Sequence, residues 1–228
     1  MHRISIPDRV LAEIRRQREN LYRFERLAGP STALVVIDMQ NFFMLPGMPV
    51  EVPAARDIVP NVNRLAAAMR EAGGTVAWVQ MTLNGQAESW SVFFTGDTRR
   101  ATGEELTRGT HAHALHAELR VAPEDLVVEK TRYSAFIQGP STLDERLRER
   151  GIDTLVIAGT LTNVCCESSA RDAMMLNYRV VFVSDANAAI TDEDHNATLA
   201  TIFRVFGDVR STDDVIGLLA ATERVAGV

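Results

Sequence analysis

Cysteine and lysine are both scarce in this chain, and each scarcity is informative. The 228 residues contain two cysteines, Cys165 and Cys166, which are adjacent. Neighbouring residues on a helix point in different directions, so a disulfide framework and a four-cysteine metal site are both excluded, and a reducing compartment suits the pair. No apolar run approaches the ~20 residues that a membrane helix needs, and the opening MHRISIPDRV lacks the apolar core of a signal peptide. The expectation is a cytoplasmic protein with no membrane partner. A formal net charge of −6 gives no electrostatic footing for nucleic acid. No G-x-G-x-x-G follows the first strand-like run, which argues against a dinucleotide cofactor. With 46% apolar and 24% charged residues, the composition is that of an ordinary globular domain, long enough to bury a core without staples.

Of 24 basic residues, only Lys130 is a lysine and the other 23 are arginines. Arginine was evidently used wherever a generic cation sufficed. The surviving lysine is either an accident of composition or a position that needs a compact ammonium, which the larger planar guanidinium cannot imitate.

What the chain does contain is a repeated grammar. Residues 7–27 read as an amphipathic helix, with Val10, Leu11, Ile14, Leu21 and Phe24 on an interrupted apolar stripe. Short apolar runs follow at Ala33–Ile37, Thr75–Gln80, Leu126–Val128, Thr154–Ala158 and Val180–Val183, with a further short strand expected around Val209. Helical patterns fall at about 57–72, 141–150, 163–177, 193–206 and 211–224. Buried β-branched runs alternating with helices indicate a doubly wound, three-layer α/β/α domain on a parallel sheet of about six strands. The stretch 82–125, with Trp90, Phe93, Phe94 and three histidines, is the least regular, and inserts that long usually serve a site or an assembly surface.

In such folds ligands sit beyond the carboxyl ends of the strands, where the strand order reverses. Asp38 follows the first run, Lys130 the third, and the segment GTLTNVCC the fourth, so three chemically capable groups converge on one edge. A cysteine in the first turn of a helix meets the positive end of the helix dipole, which favours the nucleophilic thiolate. Buried cysteine as a small hydrophobe is the commoner alternative, and Cys166 fits it better. Asp38 beside a thiol can accept its proton and return it to a leaving amine. Lys130 would lower the thiol pKa and orient the carboxylate.

The segments ALVVIDMQNFF, EKTRYSAF and IAGTLTNVCCESSARDAMMLNYRVVFVSDA resemble the isochorismatase-like cysteine hydrolases, from about Thr32 to Leu219. This family includes nicotinamidases, N-carbamoylsarcosine amidase, ureidoacrylate amidohydrolase and biuret hydrolase. The resemblance implies residues 1–28 as an N-terminal helical extension and 29–228 as a single hydrolase domain. It implies a triad of Asp38, Lys130 and Cys165, the cysteine being the one six residues after Gly159, with Cys166 at a place usually held by valine. A cis peptide between Thr160 and Leu161 is implied as well, turning the Leu161 N–H toward that of Cys165 as a two-donor oxyanion hole. Phe43, Tyr133, Phe136 and Trp90 fall where pocket-wall aromatics are expected, with plain core packing as the alternative.

Departures from the family narrow the reading. Nicotinamidases carry an Asp/His/His metal site after their second strand, whereas TLNGQAESW here has no histidine. The expectation is therefore a metal-free, cofactor-free enzyme, with His111, His113 and His116 a remote alternative ligand set. Retention of Cys165 favours cleavage of a small amide, ureido or carbamoyl C–N bond. A vinyl-ether hydrolase of the same fold and a non-catalytic scaffold are the rivals. The apolar stripe of the N-terminal helix suggests a homodimer or homotetramer.

Overall fold

The computed structural model of the chain describes residues 1–84, 102–137 and 141–226. Six parallel strands form one sheet: β1 (Thr32–Ile37), β2 (Thr75–Met81), β3 (Leu126–Lys130), β4 (Thr154–Thr160), β5 (Arg179–Ala188) and β6 (Asp208–Arg210). Their spatial order is β3-β2-β1-β4-β5-β6. The chain winds outward from β1 to β3 and then returns to β4 on the other side of β1. The order therefore reverses between β1 and β4, where Ile37 is in register with Gly159. All six residues of β1 and all seven of β4 are buried, as central strands covered on both faces must be.

Besides two single turns at Asn41–Met44 and Ala54–Asp57, the helices among the described residues include α1 (Asp8–Gln17), α2 (Val59–Glu71), α3 (Leu143–Arg148), α4 (Glu167–Met175), α5 (Asp192–Thr201) and α6 (Thr212–Ala226). Helices α2 and α6 pack on each other and on the sheet, while α4 and α5 pack with the turns on the opposite side. The sandwich of helix, sheet and helix is the doubly wound architecture the alternating pattern indicates.

Several elements differ from the sequence reading, among them the helix expected at 193–206, which becomes Asp192–Thr201 followed by a π-wound turn Ile202–Phe206. The first helix stops at Gln17 instead of continuing to residue 27, because Arg18 turns to extended backbone. Tertiary partners take the remainder: the amides of Arg23 and Phe24 both donate to the buried Asp208 carboxylate at 2.9 Å. The apolar stripe of α1 is also spent within the chain, with Val10 and Ile14 buried in its own core. The helical pattern at 163–177 is likewise divided, into a wide π-wound turn Thr162–Cys166 followed by α4.

Candidate active site

Each candidate group leaves the carboxyl end of a strand. The Asp38 amide still donates to Val79 O of the neighbouring β2 at 2.9 Å, after which the chain turns with φ +51°. Aspartate is one of the few side chains that tolerate this left-handed conformation. Lys130 is the last residue of edge strand β3, paired with Met81. Cys165 lies in the π-wound turn after β4. The Thr160–Leu161 peptide at the head of that turn is cis.

These three side chains meet. Lys130 Nζ lies 2.8 Å from Asp38 Oδ2, 3.0 Å from Arg132 O and 3.5 Å from Cys165 Sγ. The ammonium donates to Arg132 O and to Cys165 Sγ and forms an ion pair with Asp38. Asp38 and Lys130 are both fully buried, and Cys165 is 2% exposed. Burial pushes the Asp38 carboxyl above the ordinary carboxylate range, against the nearby Lys130 charge. Burial also penalises the Lys130 ammonium, but Asp38 and Cys165 outweigh it and hold the ammonium charged beyond its usual range.

The thiol departs from the sequence expectation. Burial, followed by the Asp38 carboxylate, raises the Cys165 pKa far above its ordinary value, and Lys130 only partly offsets them. The shift favours the neutral thiol over the thiolate in the resting site. Desolvation and the adjacent carboxylate outweigh one cation and a turn dipole.

Cys165 opens onto a cavity of about 270 Å³ lined by residues that include Phe43, Tyr133, Leu161 and Val164. The irregular insert contributes Thr102 and Leu106 to its wall. Phe136 does not line it; the ring packs on Tyr178, with centroids 5.8 Å apart, and is core rather than pocket wall. Trp90 lies outside the described residues. Cys166 is completely buried and is not among the lining residues.

Several residues that secure this arrangement escaped sequence reasoning. Gln40 donates to Met81 O and His113 O and accepts from the Met81 amide, while Asn41 donates to His111 O and meets His116 Nδ1. The polar pair of the DMQN motif thus clamps the 111–116 loop onto the sheet edge. His113 Nε2 is bonded to Thr82 Oγ1, so the three histidines serve separate contacts. No group of three or more potential metal-ligating side chains occurs among the described residues. Ser169 donates to Cys165 O at 2.7 Å and accepts from the Ala135 amide, tying the cysteine turn to the loop that carries Tyr133.

His195 steadies the same turn from behind. Its Nε2 faces Ser184 O at 2.9 Å, which requires N–H there and leaves Nδ1 to accept from the Thr162 hydroxyl. Burial, reinforced by His2 stacked at 4.4 Å, pulls its pKa down to about 4 and keeps the ring neutral. Nothing in the spacing of residues 2, 162 and 195 signals this contact.

Comparison with known proteins agrees with the geometry. Residues 32–214 match the isochorismatase domain family. The chain is 35% identical over 212 residues to ureidoacrylate amidohydrolase RutB of Variovorax paradoxus, covering 83% of this chain and 82% of that protein. A cysteine hydrolase structure from Pseudomonas syringae pv. phaseolicola superposes with a TM-score of 0.79 at 31% identity, over 89% of this chain and 98% of that one. N-carbamoylsarcosine amidase from Thermoplasma acidophilum does so with a TM-score of 0.66 at 27% identity, over 80% and 97%. With the family match spanning most of its length and the fold shared throughout, this chain belongs to the isochorismatase family of hydrolases.

Proposed function

We propose that the protein is a cysteine hydrolase that cleaves the C–N bond of a small amide, ureido or carbamoyl compound through a thioester. The observation that carries this reading is the Lys130 ammonium bonded to both the Asp38 carboxylate and the Cys165 sulfur at one end of a small cavity. The kinship with amidohydrolases supports the bond type.

In the reaction, Asp38 removes the Cys165 proton as sulfur attacks the carbonyl carbon. The raised proton affinity of the buried carboxyl favours this transfer, and Lys130 balances the negative charge as it moves from oxygen to sulfur. Leu161 and Cys165, which both line the cavity, offer their backbone N–H groups to the oxyanion. One such donor is typically worth ~2.7–4 kcal/mol. Collapse of the tetrahedral adduct breaks the C–N bond, and Asp38 returns the proton to the departing ammonia or amine. Water, deprotonated by Asp38, then attacks the thioester; the acid leaves, and that proton restores the thiol. A neutral resting thiol suits this sequence, because charge on sulfur develops only when a carbonyl is present to receive it.

The test is a pair of substitutions with ammonia release as the readout. Cys165→Ala should abolish turnover and prevent the acyl adduct that acid quenching and mass spectrometry detect in the wild type. Cys166→Val should retain most activity, since Cys166 does not line the cavity. The reverse pattern would overturn the assignment.

A further inference from the structure

Resting on the amide-hydrolase reading, we infer that the substrate carries a compact apolar arm beside its scissile carbonyl. The preferred substrates are neutral primary amides with a small aliphatic or aromatic acyl group, rather than ureido or amido acids bearing a carboxylate.

The walls of the cavity carry the argument. Phe42, Phe43, Met81, Leu83, Leu106 and Val164 face it with carbon, and Phe42 and Phe43 meet edge to face with centroids 5.1 Å apart. The polar side chains on it are Thr102, Tyr133 and the reacting Cys165. No cationic side chain occurs among its described lining residues. Lys130 Nζ, 3.5 Å from the thiol, is already engaged by Asp38, Arg132 O and Cys165. A substrate carboxylate placed here would lose its water and gain no cationic partner among the described lining residues, which is costly. An apolar arm instead leaves water at no penalty, and each methylene buried should raise kcat/KM about fourfold. Size sets the upper limit. A cavity of about 270 Å³ suits a compact arm.

The experiment measures kcat/KM for ammonia release by the full chain. The panel is acetamide, propionamide, isobutyramide, benzamide, 3-ureidopropionate, and the isosteric pair 4-methylpentanamide and succinamate. That pair differs only in an isopropyl group against a carboxylate, so intrinsic amide reactivity is nearly matched. The expected result is a rise along the aliphatic series and a preference of at least 100-fold for 4-methylpentanamide over succinamate. Cys165-dependent turnover in which succinamate or 3-ureidopropionate is the better substrate would overturn the apolar arm while leaving the hydrolase reading intact. Absence of Cys165-dependent ammonia release from every compound would remove both.

Discussion

Lys130 gathers a carboxylate, a carbonyl and a sulfur within 2.8, 3.0 and 3.5 Å of one compact ammonium nitrogen. A guanidinium has more donors, but they lie in one plane on a broader group, so it would displace a partner or block the carbonyl. Lys130→Arg should fold, as judged by circular dichroism, yet lose at least ~10²-fold in kcat, the scale of one misplaced catalytic group. A folded variant with near-wild-type kcat would mean that the lone lysine is compositional chance. The same cluster sets the pH dependence. Asp38 must be ionised to take the thiol proton, and burial raises its pKa, so the acid limb of kcat/KM should lie above the ordinary aspartate value of ~3.9. Lys130 must remain charged, and its pKa is raised by Asp38 and Cys165, so cation loss should begin only beyond the ordinary lysine value of ~10.4. The triad titrates as a unit, and both limbs belong to it. An acid limb at or below ~3.9 would contradict the burial argument.

At the scale of the element, the decisive feature is the end of β4, where strand becomes cysteine turn. Gly159 has φ +125°, a conformation that side chains rarely adopt, and an added Cβ would stand 2.1 Å from Ile37 O on the adjacent strand. Backbone cannot yield as a flexible side chain can. Gly159→Ala should therefore destabilise the protein by roughly 3 kcal/mol or more in urea unfolding and reduce activity through the displaced turn. A cost under ~0.5 kcal/mol, the range of an ordinary surface substitution, would show that β1 and β4 can separate freely at the point of strand reversal.

For the whole molecule, the N-terminal segment is bound into the body of the chain. Val10 and Ile14 fill the core, the amides of residues 23 and 24 satisfy the buried Asp208, and His2 stacks on His195 behind the cysteine turn. Removing residues 1–28 would forfeit ~1.5–3 kcal/mol for each of the three buried aliphatic side chains, Val10, Ile14 and Leu27, and leave Asp208 without those donors. The truncated chain should unfold at a markedly lower temperature and urea concentration. An unchanged midpoint would show that residues 1–28 are a dispensable appendage.

The sequence by itself determined the alternation of buried strands and helices, and hence the doubly wound sheet, because central parallel strands require continuous apolar runs. It also determined which residues leave strand ends, so Asp38, Lys130 and the cysteine turn could be assigned to one edge. Only tertiary structure decided their electrostatics. A thiol that local dipole and one cation favour ionising is shifted toward its neutral form by burial and a carboxylate contributed from a different strand. Tertiary structure also decided that Phe136 packs into the core while Phe43 and Tyr133 reach the cavity, since aromatic spacing does not reveal which side of a loop faces a void. It ended α1 at Gln17 and engaged the amides of Arg23 and Phe24 with Asp208, far away in sequence. Desolvation and long-range pairing depend on what surrounds a residue in space, and short-range pattern carries no record of that.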